Sequence, residues 1–177
     1  MGNVMRPADE DRFDGVFVHL DAIARYARRR GARDPDDVAA ECMTIAWRRL
    51  DDVPADDPLP WLLGCARRIV LSQRRHDHAR VALDDVAEPR FEAPEPVGLD
   101  AALTEALASL ADIDREALLL VAWEDLTPTQ AARALGINPV AFRVRLHRAR
   151  RRCSSALDSR LTRTAPDICS DSEVIHG

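Results

Sequence analysis

The chain has 177 residues, 46% apolar and 31% charged, with a net charge of −5, which allows one domain or two small ones and argues against a non-specific coat for nucleic acid. No apolar run approaches membrane-spanning length. The stretch from Met1 to Asp14 is polar and acidic rather than signal-like, so a cytoplasmic protein without a membrane segment of its own is expected.

Helical periods dominate, and no strand-like alternation persists. Phe13, Val16, Phe17, Leu20, Ile23, Ala24 and Ala27 follow the three-four spacing of one amphipathic helix, which Gly31 would end. Asp34-Pro35 opens a second helix with Val38, Cys42, Ile45 and Ala46 as its apolar stripe, closing near Leu50. The segment from Asp51 to Pro60 is rich in proline and aspartate and reads as a loop. A third helix starts near Pro60 and runs through Trp61, Leu62, Cys65, Ile69 and Val70 towards Arg75. Residues 79–98 contain three prolines and read as an extended acidic linker. The helical pattern resumes at Leu99 and continues through Leu103, Leu107 and Leu110. Asp112 is the expected cap of a further helix through Leu118, Leu119 and Val121 to Trp123.

The most specific local signal comes next. Thr127 is a good N-cap, Pro128 suits the first helical position, and Gln130 stands where a capping-box partner belongs. Gly136 sits where a left-handed residue would end that helix. Asn138-Pro139 repeats the start signal. Ala131, Ala132 and Leu135 share one face of the first short helix; Phe142 and Leu146 share an inward stripe of the second. This is a helix-turn-helix. From Pro139 to Arg152 its second helix carries six arginines and no carboxylate. A solvated face normally mixes signs, so this rod is suited to neutralising phosphates.

The expected fold is therefore all-α: two small helical domains joined by an acidic linker, the second containing the helix-turn-helix. The boundaries read as 1–11 for an N-terminal extension, 12–78 for the first domain and 79–98 for the linker. The second domain takes 99–160, and 161–177 form a tail expected to be disordered. Charge follows the same division: residues 1–80 are neutral, 81–100 strongly acidic, 101–160 mildly basic.

Chemistry other than binding has little support. Cys42, Cys65, Cys153 and Cys169 have no paired spacing, so reduced, idle thiols are the default. His76 and His78 lie among arginines, and no metal is expected there. There is no glycine-rich phosphate loop, nucleophile elbow or zinc motif. No catalytic residue and no cofactor are expected, and the chain does not read as an enzyme.

Two blocks resemble the extracytoplasmic-function (ECF) group of bacterial sigma-70 factors. The first, from Asp36-Asp37-Val38 through Glu41 to Ala46-Trp47-Arg48-Arg49-Leu50, looks like region 2.2. Trp61-Leu62 and Ala66-Arg67 behind it look like the end of that region's fold. The second runs from Leu118-Leu119-Leu120 through Thr127 to His147-Arg148-Ala149-Arg150 and looks like region 4. The resemblance implies binding to core RNA polymerase and promoter DNA. It implies that Asp37, Glu41, Arg48 and Arg49 meet the polymerase. Trp61, Arg67, Arg68, Arg74 and Arg75, with the Asp51–Pro60 loop, would hold the −10 strand. Pro139, Arg143, Val144, His147, Arg148 and Arg151 would face the −35 element. Arg150 to Arg152 would meet phosphate or polymerase. Arg68 stands where the group usually has asparagine, and Val144 where it usually has a small hydroxyl residue. Members of the group are often held inactive by an anti-sigma factor; no pattern in this chain by itself points to one. A stand-alone helix-turn-helix regulator is the alternative. It would bind DNA alone and leave the Trp47-Arg48-Arg49-Leu50 block without a role.

Overall fold

The structure, a computed structural model, describes residues 7–83 and 101–164, with side chains over 9–77 and 101–159. Residues 1–6, the 84–98 part of the expected linker, Leu99 and Asp100 at the expected start of the second domain, and the 165–177 part of the expected tail, with Cys169, lie outside the described residues. The described residues form α1 (Pro7–Phe17), α2 (Leu20–Arg29), α3 (Pro35–Arg48), a 3₁₀ turn (Leu50–Asp52), α4 (Leu59–Leu83), α5 (Ala101–Ala108), α6 (Asp112–Ala122), α7 (Pro128–Leu135) and α8 (Pro139–Thr164). Among them there is no strand.

The helix starts obey local chemistry. The Asp34 carboxylate accepts from the Asp36 and Asp37 amides at 3.1 and 3.0 Å, with Pro35 in the first turn. At α7 the capping box is complete. Thr127 Oγ1 accepts from the Gln130 amide at 3.3 Å, and Gln130 Oε1 accepts from the Thr127 amide at 2.9 Å. Gly136 ends α7 at φ +66°, a conformation that strains any residue with a Cβ. Asn138 Oδ1 accepts from the Val140 amide at 2.8 Å and opens α8. Thr127→Ala, which removes one of these caps, is expected to lower unfolding free energy by about 1 kcal/mol, read from urea melts.

Several boundaries differ from the sequence reading. The first expected helix is two, broken at Val18-His19, where the His19 amide donates three residues back to the Val16 carbonyl. Apolar spacing continues across the break, because both pieces face the same core. Helicity begins at Pro7 inside the expected extension, α4 continues to Leu83 beyond Arg75, and α8 continues to Thr164 beyond residue 160. Asp112 is not a cap: Ala111 holds that position without a side-chain bond, and Asp112 pairs with Arg115 one turn on.

The core of α2, α3 and α4 is built from Ile23, Tyr26, Val38, Cys42, Leu62 and Ala66, all at most 1% exposed. Cys42 Sγ donates to the Leu62 carbonyl at 3.4 Å, as a core thiol. Phe142 and Leu146 are buried under α8, as their four-residue spacing predicts. The two halves do not stand apart. One apolar cluster runs from Val16 and Ile23 through Leu62 to Leu120, Ala131, Phe142 and Leu146. Gly64 on α4 makes this possible. A Cβ there would lie 2.8 Å from the Ala134 carbonyl oxygen on α7, closer than packing allows.

Polar groups close the same interface. Glu116 of α6 accepts from Tyr26 Oη at 2.8 Å, from Arg30 Nε at 2.8 Å and from Arg30 Nη2 at 3.2 Å. The Arg30 guanidinium also lies 4.5 Å from the Tyr26 ring centroid, within cation–π range. Arg29 Nη1 donates to the Trp123 carbonyl and to Glu124, each at 3.0 Å. Burial, reinforced by the Glu116 charge, holds the Tyr26 phenol well above its ordinary range. Burial also raises the Glu124 carboxyl, although Arg30 and Arg29 pull it back. These charges are paired and hydrogen-bonded, the condition under which buried ions persist.

Candidate nucleic-acid interface

The outer face of α8 is a single row. Val140, Arg143, Val144, His147, Arg148 and Arg151 are all exposed, at intervals of three and four that place them on one stripe. The opposite row, Phe142, Leu146 and Ala149, is buried and fixes the helix against α6 and α7. Pro139 is half-buried in the first turn. Five of the six residues expected at the −35 element thus share one cationic, solvent-facing surface. Two arginines of the same helix are turned away from it. Arg145 and Arg152 donate to the two oxygens of Asp114 on α6, at 2.6 and 3.0 Å, and Asp114 is only 5% exposed. Arg152 is thereby tethered to α6 through one nitrogen, although its side chain remains 64% exposed.

The α4 arginines do not form one rim. Trp61, Arg68 and Arg75 recur every seven residues, which keeps them on one side of the helix. Arg68 and Arg75 are exposed and Trp61 is half-buried. Arg67 and Arg74 lie on the side covered by the second half, lining a narrow cavity with Tyr26, Arg30 and Glu116. Arg74 Nη2 also donates to the Arg30 carbonyl. The Asp51–Pro60 loop is likewise engaged. Asp57 accepts from Gln130 Nε2 at 3.1 Å and pairs with Arg133, both on α7. Arg12 donates to the Val53 carbonyl at 2.8 Å.

Comparison with known proteins agrees with this reading at both scales. The sigma-70 region 4 family matches residues 100–153, the stretch that builds α5 to α7 and the first half of α8. The RNA polymerase sigma factor NccH of Alcaligenes xylosoxydans xylosoxydans is 29% identical over 159 residues, covering 81% of this chain and 85% of NccH. The RNA polymerase sigma factor CarQ of Myxococcus xanthus is 29% identical over 152 residues, covering 81% and 87%. Both likenesses extend across the two halves, not the helix-turn-helix alone. The region 4 match and these relatives together support membership of the ECF group of the sigma-70 family. The fold is shared with the sigma factor RpoE of Bartonella quintana, solved in complex with the anti-sigma factor NepR. The TM-score is 0.62 at 22% identity, covering 84% of this chain and 98% of that one.

In this chain, α3 carries a second exposed surface. Asp37, Glu41 and Arg48 are exposed and lie along one row. Arg49 does not join that row. It caps α3 and is bound to Asp52 through Nε and Nη2, both at 2.8 Å. Trp47, 38% exposed, borders the row and packs edge-on against Phe13 at 4.8 Å. Phe17, half exposed, extends this aromatic patch beside Phe13. Periodicity assigns Phe13 and Phe17 to a buried stripe; the break after Phe17 is what leaves the latter outside. Val140 is the other residue that the sequence reading passed over. Its position one turn before Val144 was the available signal.

Proposed function

We propose that this chain is an RNA polymerase sigma factor that binds core polymerase and directs it to promoters. The observation that carries the proposal is the exposed row from Arg143 to Arg151 on the second helix of a helix-turn-helix, in a chain of this family. Its outer face is cationic and uncompensated, the inner face is fully used in packing, and a helix of this kind fits a major groove. Arg143, Val144, His147, Arg148 and Arg151 are assigned to the −35 element. The α3 row of Asp37, Glu41 and Arg48 is assigned to polymerase; its mixed charge suits a protein partner better than DNA. Trp61, Arg68 and Arg75 are assigned to the −10 strand, where stacking and backbone contacts repay unstacking.

Arg67 and Arg74 join that strand only after the halves separate. Elements 25 base pairs apart stand about 85 Å apart on B-form DNA, at ~3.4 Å per step. The halves here touch through Gly64 and Glu116. The 17 residues 84–100 between them allow a gap of up to roughly 60 Å between the ends of α4 and α5, with the lengths of the two halves making up the rest. Promoter engagement therefore requires the interface to open.

With an overall charge of −5, the chain is not suited to hold DNA tightly alone, and polymerase supplies the remaining contacts. An anti-sigma factor is proposed as a further partner, by likeness to RpoE, which was solved with one. Among the described residues no helix is long and apolar enough to cross a membrane, and action beside polymerase places the chain in the cytoplasm. Run-off transcription with purified core polymerase on genomic fragments tests the proposal. Discrete transcripts that need both proteins are expected. Tight binding to a palindrome without polymerase would instead support a stand-alone regulator.

A further inference from the structure

The reading face of α8 contains an apolar pair that packing does not explain. Val140 is 65% exposed and Val144 47%, against 0% and 5% for Phe142 and Leu146 on the opposite face. β-branched residues lose side-chain freedom in a helix and favour it less than alanine does. An exposed pair with no core to pack against therefore has no stabilising role. The two are four residues apart, hence on the same stripe and about 6 Å apart along the axis. Arg143, His147 and Arg148 flank them on the same exposed surface, so the cationic groups that would hold the helix to DNA, through phosphates and guanine edges, present the valines to the bases between.

We infer that Val140 and Val144 read the 5-methyl groups of two thymines in the −35 element. The inference rests on assigning α8 to that element. A valine neither donates nor accepts a hydrogen bond, and the thymine methyl is the apolar group that base edges offer in the major groove. Base pairs are stacked about 3.4 Å apart, so a 6 Å separation places the two methyls one or two base pairs from each other. The arginines supply affinity and register, and the valines add discrimination of thymine from cytosine, whose C5 carries no methyl.

The test uses the full chain with core polymerase. Promoters are first selected from a library randomised over the −35 region. In the selected promoter each −35 thymine, on either strand, is then replaced singly by deoxyuridine, which removes the methyl and leaves base pairing intact. Two replacements, within two base pairs of each other, are expected to weaken the complex about fourfold each, the value of one buried methyl. Val140→Ala should abolish one of these effects and Val144→Ala the other, with binding to core polymerase unchanged. Deoxyuridine that is neutral throughout would overturn the proposal, as would effects of equal size in the wild type and both variants. Loss of core binding in the variants would also overturn it, by assigning the pair to a protein contact. If no promoter sequence is selected at all, the sigma reading fails and this inference fails with it. If a sequence is selected but ignores the methyls, this inference fails alone.

Discussion

Glu116→Ala is expected to drive the two helical halves apart. The carboxylate takes one bond from Tyr26 and two from Arg30, and Arg30 is only 7% exposed. Arg30 then keeps only a 3.5 Å contact to Glu124, and a buried charge stripped of its main partner costs up to about 3–5 kcal/mol. Arg30 recovers its hydration by opening the interface. Small-angle scattering and a fluorescence pair across the halves should both report a longer separation, with helix content by circular dichroism preserved. The paired replacement Arg30→Met with Glu116→Leu removes both charges and should restore closure, because apolar residues of similar size replace a buried ion pair at little cost. Gly64→Val is an independent wedge. Its Cβ meets the Ala134 carbonyl, a backbone atom that cannot move away without moving α7. Promoter complexes should form faster with either opened variant at equal core concentration, since Arg67 and Arg74 then face solvent. A wild-type separation in both Glu116→Ala and Gly64→Val would show that this interface does not hold the halves together.

The second large effect is a division of labour between α3 and α8. Arg148→Ala is expected to weaken promoter-specific complexes about tenfold to a hundredfold, the range for one arginine lost from a base edge, while core binding stays intact. Asp37→Arg should do the reverse. It reverses charge at the exposed start of the row ending at Arg48, and like-charge juxtaposition at an interface costs several kcal/mol. Core affinity should fall by about tenfold or more. The cost to folding is small, because a cation near a helix N-terminus is unfavourable by only about 0.3–1 kcal/mol. Core binding measured by fluorescence polarisation and promoter binding measured with preformed holoenzyme separate the two. Loss of the same activity in both variants would refute the division.

Short-range chemistry made much of this protein legible from sequence. Caps act over three residues, so Asp34, Thr127, Gln130, Gly136 and Asn138 announce α3, α7 and α8 without reference to the rest of the chain. The buried row of Phe142 and Leu146 and the exposed row of Arg143, His147 and Arg148 follow from the helical period alone. Periodicity failed where a helix broke without changing its face, at Val18-His19. It also failed where nothing in the pattern stopped a helix, at the ends of α4 and α8.

What the sequence by itself determined is the helix-turn-helix, its cationic outer face and the separate mixed-charge face on α3, because each is written in the caps and helical spacing of one continuous stretch of chain. What only the tertiary structure decided is which charges remain for a partner. Arg30 and Glu116 are 86 residues apart and meet only across the interface to which α7 and Gly64 also contribute. Arg152 reads as a phosphate or polymerase contact until α6 brings Asp114 beneath it and ties one of its nitrogens. A charge is free or occupied according to its neighbours in space, and those neighbours lie farther along the chain than any local rule reaches.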